Sequence, residues 1–139
     1  MNSRDRFDLF RHLLEQLCMS QEDMLMVPDI SDWCKEHGIQ EPDRVRPFRF
    51  LVSEDDRKML VREDIPERVI EERINALRVR DQLKSVARDR ADWLNSDRKA
   101  LAFLFLNEYA LSLPAIGGDE LAADDWALSE MERFGFFKT

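Results

Sequence analysis

Two histidines and two cysteines stand among the 139 residues, and their spacing sets what nucleophilic or metal chemistry the chain can support. Cys34 and His37 lie three apart, a spacing at which an imidazole could ready a thiol for attack. The plainer reading is a buried Cys34 beside a His37 that the C-terminal end of a helix dipole favours. Cys18 and His12 are six apart and fall on different sides of one helix. His12 and Glu15 run in the reverse order of the Glu-x-x-His pairs that hold di-iron centres, and suit an ordinary i,i+3 surface contact. Gly117–Gly118, the only double glycine, precedes a helix start as a phosphate-binding loop would, but Asp119 and Glu120 occupy the place of the anion. No catalytic residue, metal ligand or cofactor site is expected, and the chain does not read as an enzyme.

Contact surfaces are easier to find. Arg73, Arg80, Lys84 and Arg88 fall within about 80° of one another if they share a helix, and Arg44, Arg46 and Arg49 could join them. Such a patch would hold an acidic partner or a phosphate backbone, although Asp81, Asp89 and Asp92 stripe the neighbouring face. The closing run Phe134, Phe136 and Phe137 is very apolar and either covers the core or anchors a partner. Residues 20–38 have the length of a helix-turn-helix, with Ser20–Met26, a turn at Pro28, and Ile30–His37. Their second helix is acidic where phosphates would lie.

Helices must position these groups. Ser3 opens a helix over 3–18 that carries Phe7, Phe10, Leu13, Leu14 and Leu17 on one face. Ser20 caps a short helix to Met26, and Asp29 or Ser31 caps the next, which Gly38 ends as a left-handed cap. Residues 39–52 are the least helical and read first as an extended, arginine-lined connector, in which Pro47 confines any strand near 44–52 to an edge. Ser53 opens a helix carrying Met59, Leu60 and Val61. The stretch 66–95 reads as one helix of about 45 Å at 1.5 Å per residue, or as two helices broken near Arg78. Its stripes, Ile70–Ile74–Leu77 and Val79–Leu83–Val86–Trp93–Leu94, point nearly opposite ways. Serving both asks for a break or for a second copy of the chain. Ser96 and Asp97 cap a helix over 97–112 that is apolar almost all round, as a central core helix is. Asp119 caps the last helix, with Leu121, Trp126 and Met131 inward.

Composition agrees with this reading. Glycine is scarce, with 4 residues, and the charged fraction is 36%; few turns and many charges suit helices with wet faces. The net charge of −8 repels nucleic acid at long range. No apolar run approaches a membrane span, no apolar signal core follows the first residues, and two cysteines suit a reducing cytoplasm.

One resemblance lies in Asp29–Leu77. The run from Asp29 through Trp33 and Gly38 to Ile39 is similar to the first helix and turn of a sterile alpha motif. Glu63–Ile65 and Val69–Leu77 sit near its last two helices. That resemblance implies head-to-tail protein association. Pro47, Arg44, Arg46 and Arg49 depart from the family's pattern, so the reading does not rest on it. The expectation is one all-α domain over 1–139, a bundle of about six helices, cytoplasmic and outside the membrane. It acts as a non-enzymatic interaction or adaptor protein, with itself as partner in a homodimer. The alternative is a nucleic-acid-associated regulator using the 20–38 helix pair and the basic stripe.

Overall fold

The computed structural model describes residues 2–40, 47–52, 57–78 and 96–136. In chain order these form α1 (Ser3–Gln16), a 3-10 turn (Gln21–Asp23), β1 (Met24–Val27), α2 (Ile30–Glu36), β2 (Phe48–Val52), β3 (Arg57–Arg62), α3 (Glu67–Arg78), α4 (Asp97–Leu111) and α5 (Glu120–Arg133). The expected all-α bundle is therefore corrected to a mixed α/β fold: among the described residues, five helices surround a three-stranded sheet.

The sheet runs in the order β1-β3-β2. β1 pairs with β3 in parallel, Met24 opposite Met59 and Met26 opposite Val61. β2 pairs with β3 in antiparallel register, Phe48 opposite Val61 and Phe50 opposite Met59. Side chains alternate between faces, so Met24, Met26, Phe48, Phe50, Met59 and Val61 share one face and pack into the main core. Leu25, Val27, Leu51 and Leu60 take the other face, where they meet Ile30, Trp33 and Cys34 of α2 and Ile39 just beyond it.

This two-sided burial explains the mistaken helices. A central strand covered on both faces needs a continuous apolar run, and Met59-Leu60-Val61 and Met24-Leu25-Met26-Val27 are such runs. Periodicity alone cannot tell a short buried run of this kind from a helical segment. The supposed helix ending at Met26 is thus a 3-10 turn followed by a strand, and the supposed helix through Met59–Val61 is the central strand. Where the sequence reads as an extended connector that leaves room for an edge strand, residues 48–52 form the edge strand β2, entered directly after Pro47. The sterile alpha motif resemblance fails for the same reason, because two strands lie inside its span.

The main core lies between the sheet and the helices. Every residue from Ala100 to Asn107 of α4 is buried, so α4 is the central helix its all-round apolar sequence suggests. Phe10 of α1 stacks on Phe105 of α4 at 5.5 Å, and Phe48 of β2 meets both edge-on at 5.1 and 5.4 Å. These three rings bind the first helix, the sheet and the central helix into one cluster, in offset and edge arrangements that suit the aromatic quadrupole. Ile70, Ile74 and Leu77 of α3 are buried in the same core.

Helix ends follow their caps. Asp29 accepts from the Asp32 N–H at 2.9 Å, and Ser96 from the Lys99 N–H at 3.3 Å. Asp119 accepts from the N–H groups of Leu121 and Ala122. α1 is capped one residue earlier than expected, by Asn2, which accepts from the Asp5 N–H at 2.8 Å. At its other end Cys18 adopts a left-handed φ of 59°, a conformation that normally favours glycine. Arg57 at the start of β3 donates to the Cys18 carbonyl at 3.0 Å and ties this turn to the sheet.

Candidate functional site: a cationic and aromatic cleft

Three elements meet at one corner of the helical layer. α1 contributes His12; the start of α4 contributes Ser96, Arg98 and Lys99; the residues following α5 contribute Phe134, Gly135 and Phe136. Together they line a cleft of about 200 Å³. Among the described residues no carboxylate lines the cleft, although the chain as a whole carries a net charge of −8.

Local sequence explains the shape. Gly135 takes a left-handed φ of 83°, which a residue without Cβ adopts at no steric cost. It turns the chain after α5, so that the Phe136 N–H reaches the Met131 carbonyl at 3.0 Å and the Gly135 N–H the Glu132 carbonyl at 3.0 Å. This paired closure of the helix end folds the tail back along its own helix. Phe134 and Phe136 therefore pack against the core while each stays partly exposed at the cleft. The tail both covers the core and presents two rings.

The Arg98 guanidinium lies over the Phe136 ring, 5.3 Å from its centroid. A cation–π contact engages the charge and not the N–H donors, which can still meet an acceptor. Arg133 lies 4.7 Å over the Phe134 ring, but its charge is matched by Glu130, whose carboxylate accepts from its Nε at 2.9 Å. That carboxylate raises the Arg133 pKa above its ordinary value. Arg98 has no ion pair among the described residues. The end of α4 itself is capped by Ser96 and carries Asp97 in its first turn, so the positive character of the cleft comes from side chains and not from the helix dipole.

Of the expected basic stripe, Arg49 and Arg73 lie among the described residues, and these two do not share a surface. Arg73 turns inward: it is half-buried, and its guanidinium donates to the Asn107 Oδ1 at 3.4 Å. Asn107 in turn donates from Nδ2 to the Asp124 Oδ1 at 2.6 Å. Asn107 and Asp124 are 1% and 2% exposed, so α3, α4 and α5 share a buried polar chain that the sequence reading did not foresee. Its signal was Asn107, a polar residue ending the run Leu101–Leu106. Arg49 lies on β2 between Phe48 and Phe50, on the face that looks toward α2, whereas Arg73 belongs to a helix packed on the other face. Arg44, Arg46, Arg80, Lys84, Arg88 and Phe137 lie outside the described residues. The second apolar stripe, Val79 to Leu94, lies there too.

The chemical candidates resolve individually. Cys34 is fully buried against the sheet, while His37 is exposed, stacks on Trp33 at 3.8 Å, and places its Nδ1 2.7 Å from the Trp33 carbonyl oxygen. Thiol and imidazole thus part company. Gly117 and Gly118 both take left-handed φ values, but the helix end behind them is filled by the Asp119 carboxylate. The helix-turn-helix candidate loses its first member to β1. Among the described residues, no three His, Cys, Asp or Glu side chains are grouped to hold a metal ion, and no helix is long and apolar enough to cross a membrane.

No family model, curated protein or solved structure matches this chain. Of the lining residues the sequence points to Phe134 and Phe136; Arg98 and Lys99 carry no signal in it, and His12 stands out there only beside Cys18 and Glu15, neither of which lines the cleft.

Proposed function

We propose that the chain works by contact, as a non-enzymatic interaction or regulatory protein whose docking point is the cleft of His12, Arg98, Lys99, Phe134 and Phe136. One observation carries this reading: a strongly acidic protein concentrates basic side chains, with no carboxylate among the described lining residues, around two partly exposed aromatic rings. Arginine and aromatic residues are the types that dominate binding energy at protein interfaces. A reducing compartment such as the cytoplasm suits the unpaired thiols of Cys18 and Cys34.

Self-association is the second part of the proposal. Ile70, Ile74 and Leu77 are spent in the core, so a dimer would rest on the stripe Val79, Leu83, Val86, Trp93 and Leu94. Light scattering across dilution tests this, with a concentration-stable dimer expected for the wild type and a monomer for Leu83→Glu. The cleft is tested by placing a photo-crosslinking phenylalanine analogue at position 136 in cells. Protein adducts that vanish with Arg98→Glu are expected; adduct-free protein, or adducts indifferent to Arg98, would overturn the docking role.

A further inference from the structure

We infer that the cleft receives an acidic segment of a protein partner, in which a carboxylate side chain stands next to an aromatic one. The inference rests on the docking role proposed above and specifies its occupant.

Size comes first. Sites for small organic ligands run from about 300 to 1,000 Å³, whereas this cleft is about 200 Å³. It holds one or two side chains rather than a metabolite. Its position agrees, because it opens at a corner where α1, α4 and the tail after α5 converge and is floored by the rings of the tail.

Chemistry comes second. Arg98 offers a planar fork of N–H donors, which a carboxylate meets with two parallel hydrogen bonds. The Phe136 ring, 5.3 Å below the guanidinium carbon, holds that group beside the cleft by a cation–π contact. Holding the donor group in place lowers the entropy lost on binding. His12 adds a further hydrogen-bonding group from α1, and Ser96 one from the start of α4 beside Arg98. Phe134 and Phe136 supply apolar and ring-edge surface beside the charge, which an anion alone leaves uncovered. A segment carrying both a carboxylate and a ring satisfies both halves of the cleft.

Charge comes third. The net charge of −8 opposes a generally acidic partner at long range, and salt screens that repulsion over about 8 Å at physiological strength. Added salt therefore weakens the contact with the local cations while relieving the general repulsion. The affinity should show a shallow salt dependence, unlike the steep one of nucleic acid.

The test uses the full chain, ¹⁵N-labelled, titrated with acetyl-Glu-Phe-Glu-amide while the amide signals of Ser96, Arg98, Lys99, Gly135 and Phe136 are followed. Those signals are expected to shift together. The affinity should be about fivefold above that of acetyl-Glu-Ala-Glu-amide and of acetyl-Gln-Phe-Gln-amide, as one ring contact or one ion pair supplies. Arg98→Ala should lose about tenfold, with Arg98→Lys between it and the wild type. Both variants change an exposed side chain, and an unchanged far-ultraviolet spectrum checks that they fold. Equal binding of the Glu-Ala-Glu peptide, or of inorganic phosphate, would overturn the inference by showing a site for anions alone. So would shifts confined to other residues, or none. Crosslinked partners in cells with no response to these peptides would sink the acidic-aromatic occupant and leave the docking role standing.

Discussion

Replacing Asn107 by leucine keeps the side chain's size and removes its hydrogen bonding. In the wild type its Nδ2 donates to the Asp124 Oδ1 at 2.6 Å, and its Oδ1 accepts from Arg73 at 3.4 Å. Asp124 is 2% exposed, so water cannot take over the lost bond without opening α4 from α5. Losing one member of a buried side-chain hydrogen bond costs about 1–3 kcal/mol, and this short, fully enclosed one lies in the upper part of that range. The longer Arg73 contact adds little. Asn107→Leu should therefore destabilise the fold by about 2–3 kcal/mol. At about 2.1 cal/mol/K of unfolding entropy per residue, this lowers Tm by about 7–10 °C. Asn107→Asp should cost more, since it sets a second carboxylate where a donor stood. Urea denaturation followed by circular dichroism measures all three proteins, with the exposed Ser129→Ala as a control expected within about 0.5 kcal/mol of wild type. A loss below 0.5 kcal/mol for Asn107→Leu, or Asn107→Asp milder than Asn107→Leu, would refute the view that this bond joins α4 to α5 through the buried Asp124.

The two thiols should separate cleanly: an aromatic disulfide reagent should titrate the exposed Cys18 at once, and Cys34 only when the protein unfolds. Cys18→Gly should raise stability by about 1 kcal/mol in thermal denaturation, because φ of 59° costs a side chain with a Cβ about that much. Asp119→Ala should lower stability by about 1 kcal/mol in urea, because it strips the cap from two N–H groups of α5. Phe105→Ala should lower it by about 3–5 kcal/mol, since that ring touches both Phe10 and Phe48 at the centre of the core.

The helices and their caps were the readable part of this chain. Ser96, Asp119, Asp29 and Gly38 act where their types suggest, because a cap is satisfied by residues three or four positions away. The strands were not readable, because a strand is decided by partners far along the chain. Met59-Leu60-Val61 becomes a strand only because β1 and β2 flank it and because α2 and the main core cover its two faces. The cleft divides in the same way. Phe134 and Phe136 announce themselves as an apolar tail. His12 and Arg98 look like ordinary helix-surface residues until α1 and α4 are laid side by side. Arg73 shows the converse error, since a wheel drawn on one helix cannot know that Asn107 of another helix will draw its guanidinium inward.

The stack of Phe10 on Phe105 also has a consequence for the order of folding. Its two rings come from nearly opposite ends of the chain, and β1 must find β3 across α2 and β2. Contacts so distant in sequence close slowly, because a long loop must be ordered before any of them is gained. During synthesis the inner face of the sheet, with Met59, Val61, Phe48 and Phe50, has among the described residues only α1 and α3 beside it until α4 has left the ribosome. The nascent chain up to α3 is thus a half-layer with an open apolar side, the kind of species that aggregates or engages a chaperone. Translation speed through the codons of α4 should govern the yield of native protein more than speed anywhere earlier in the message.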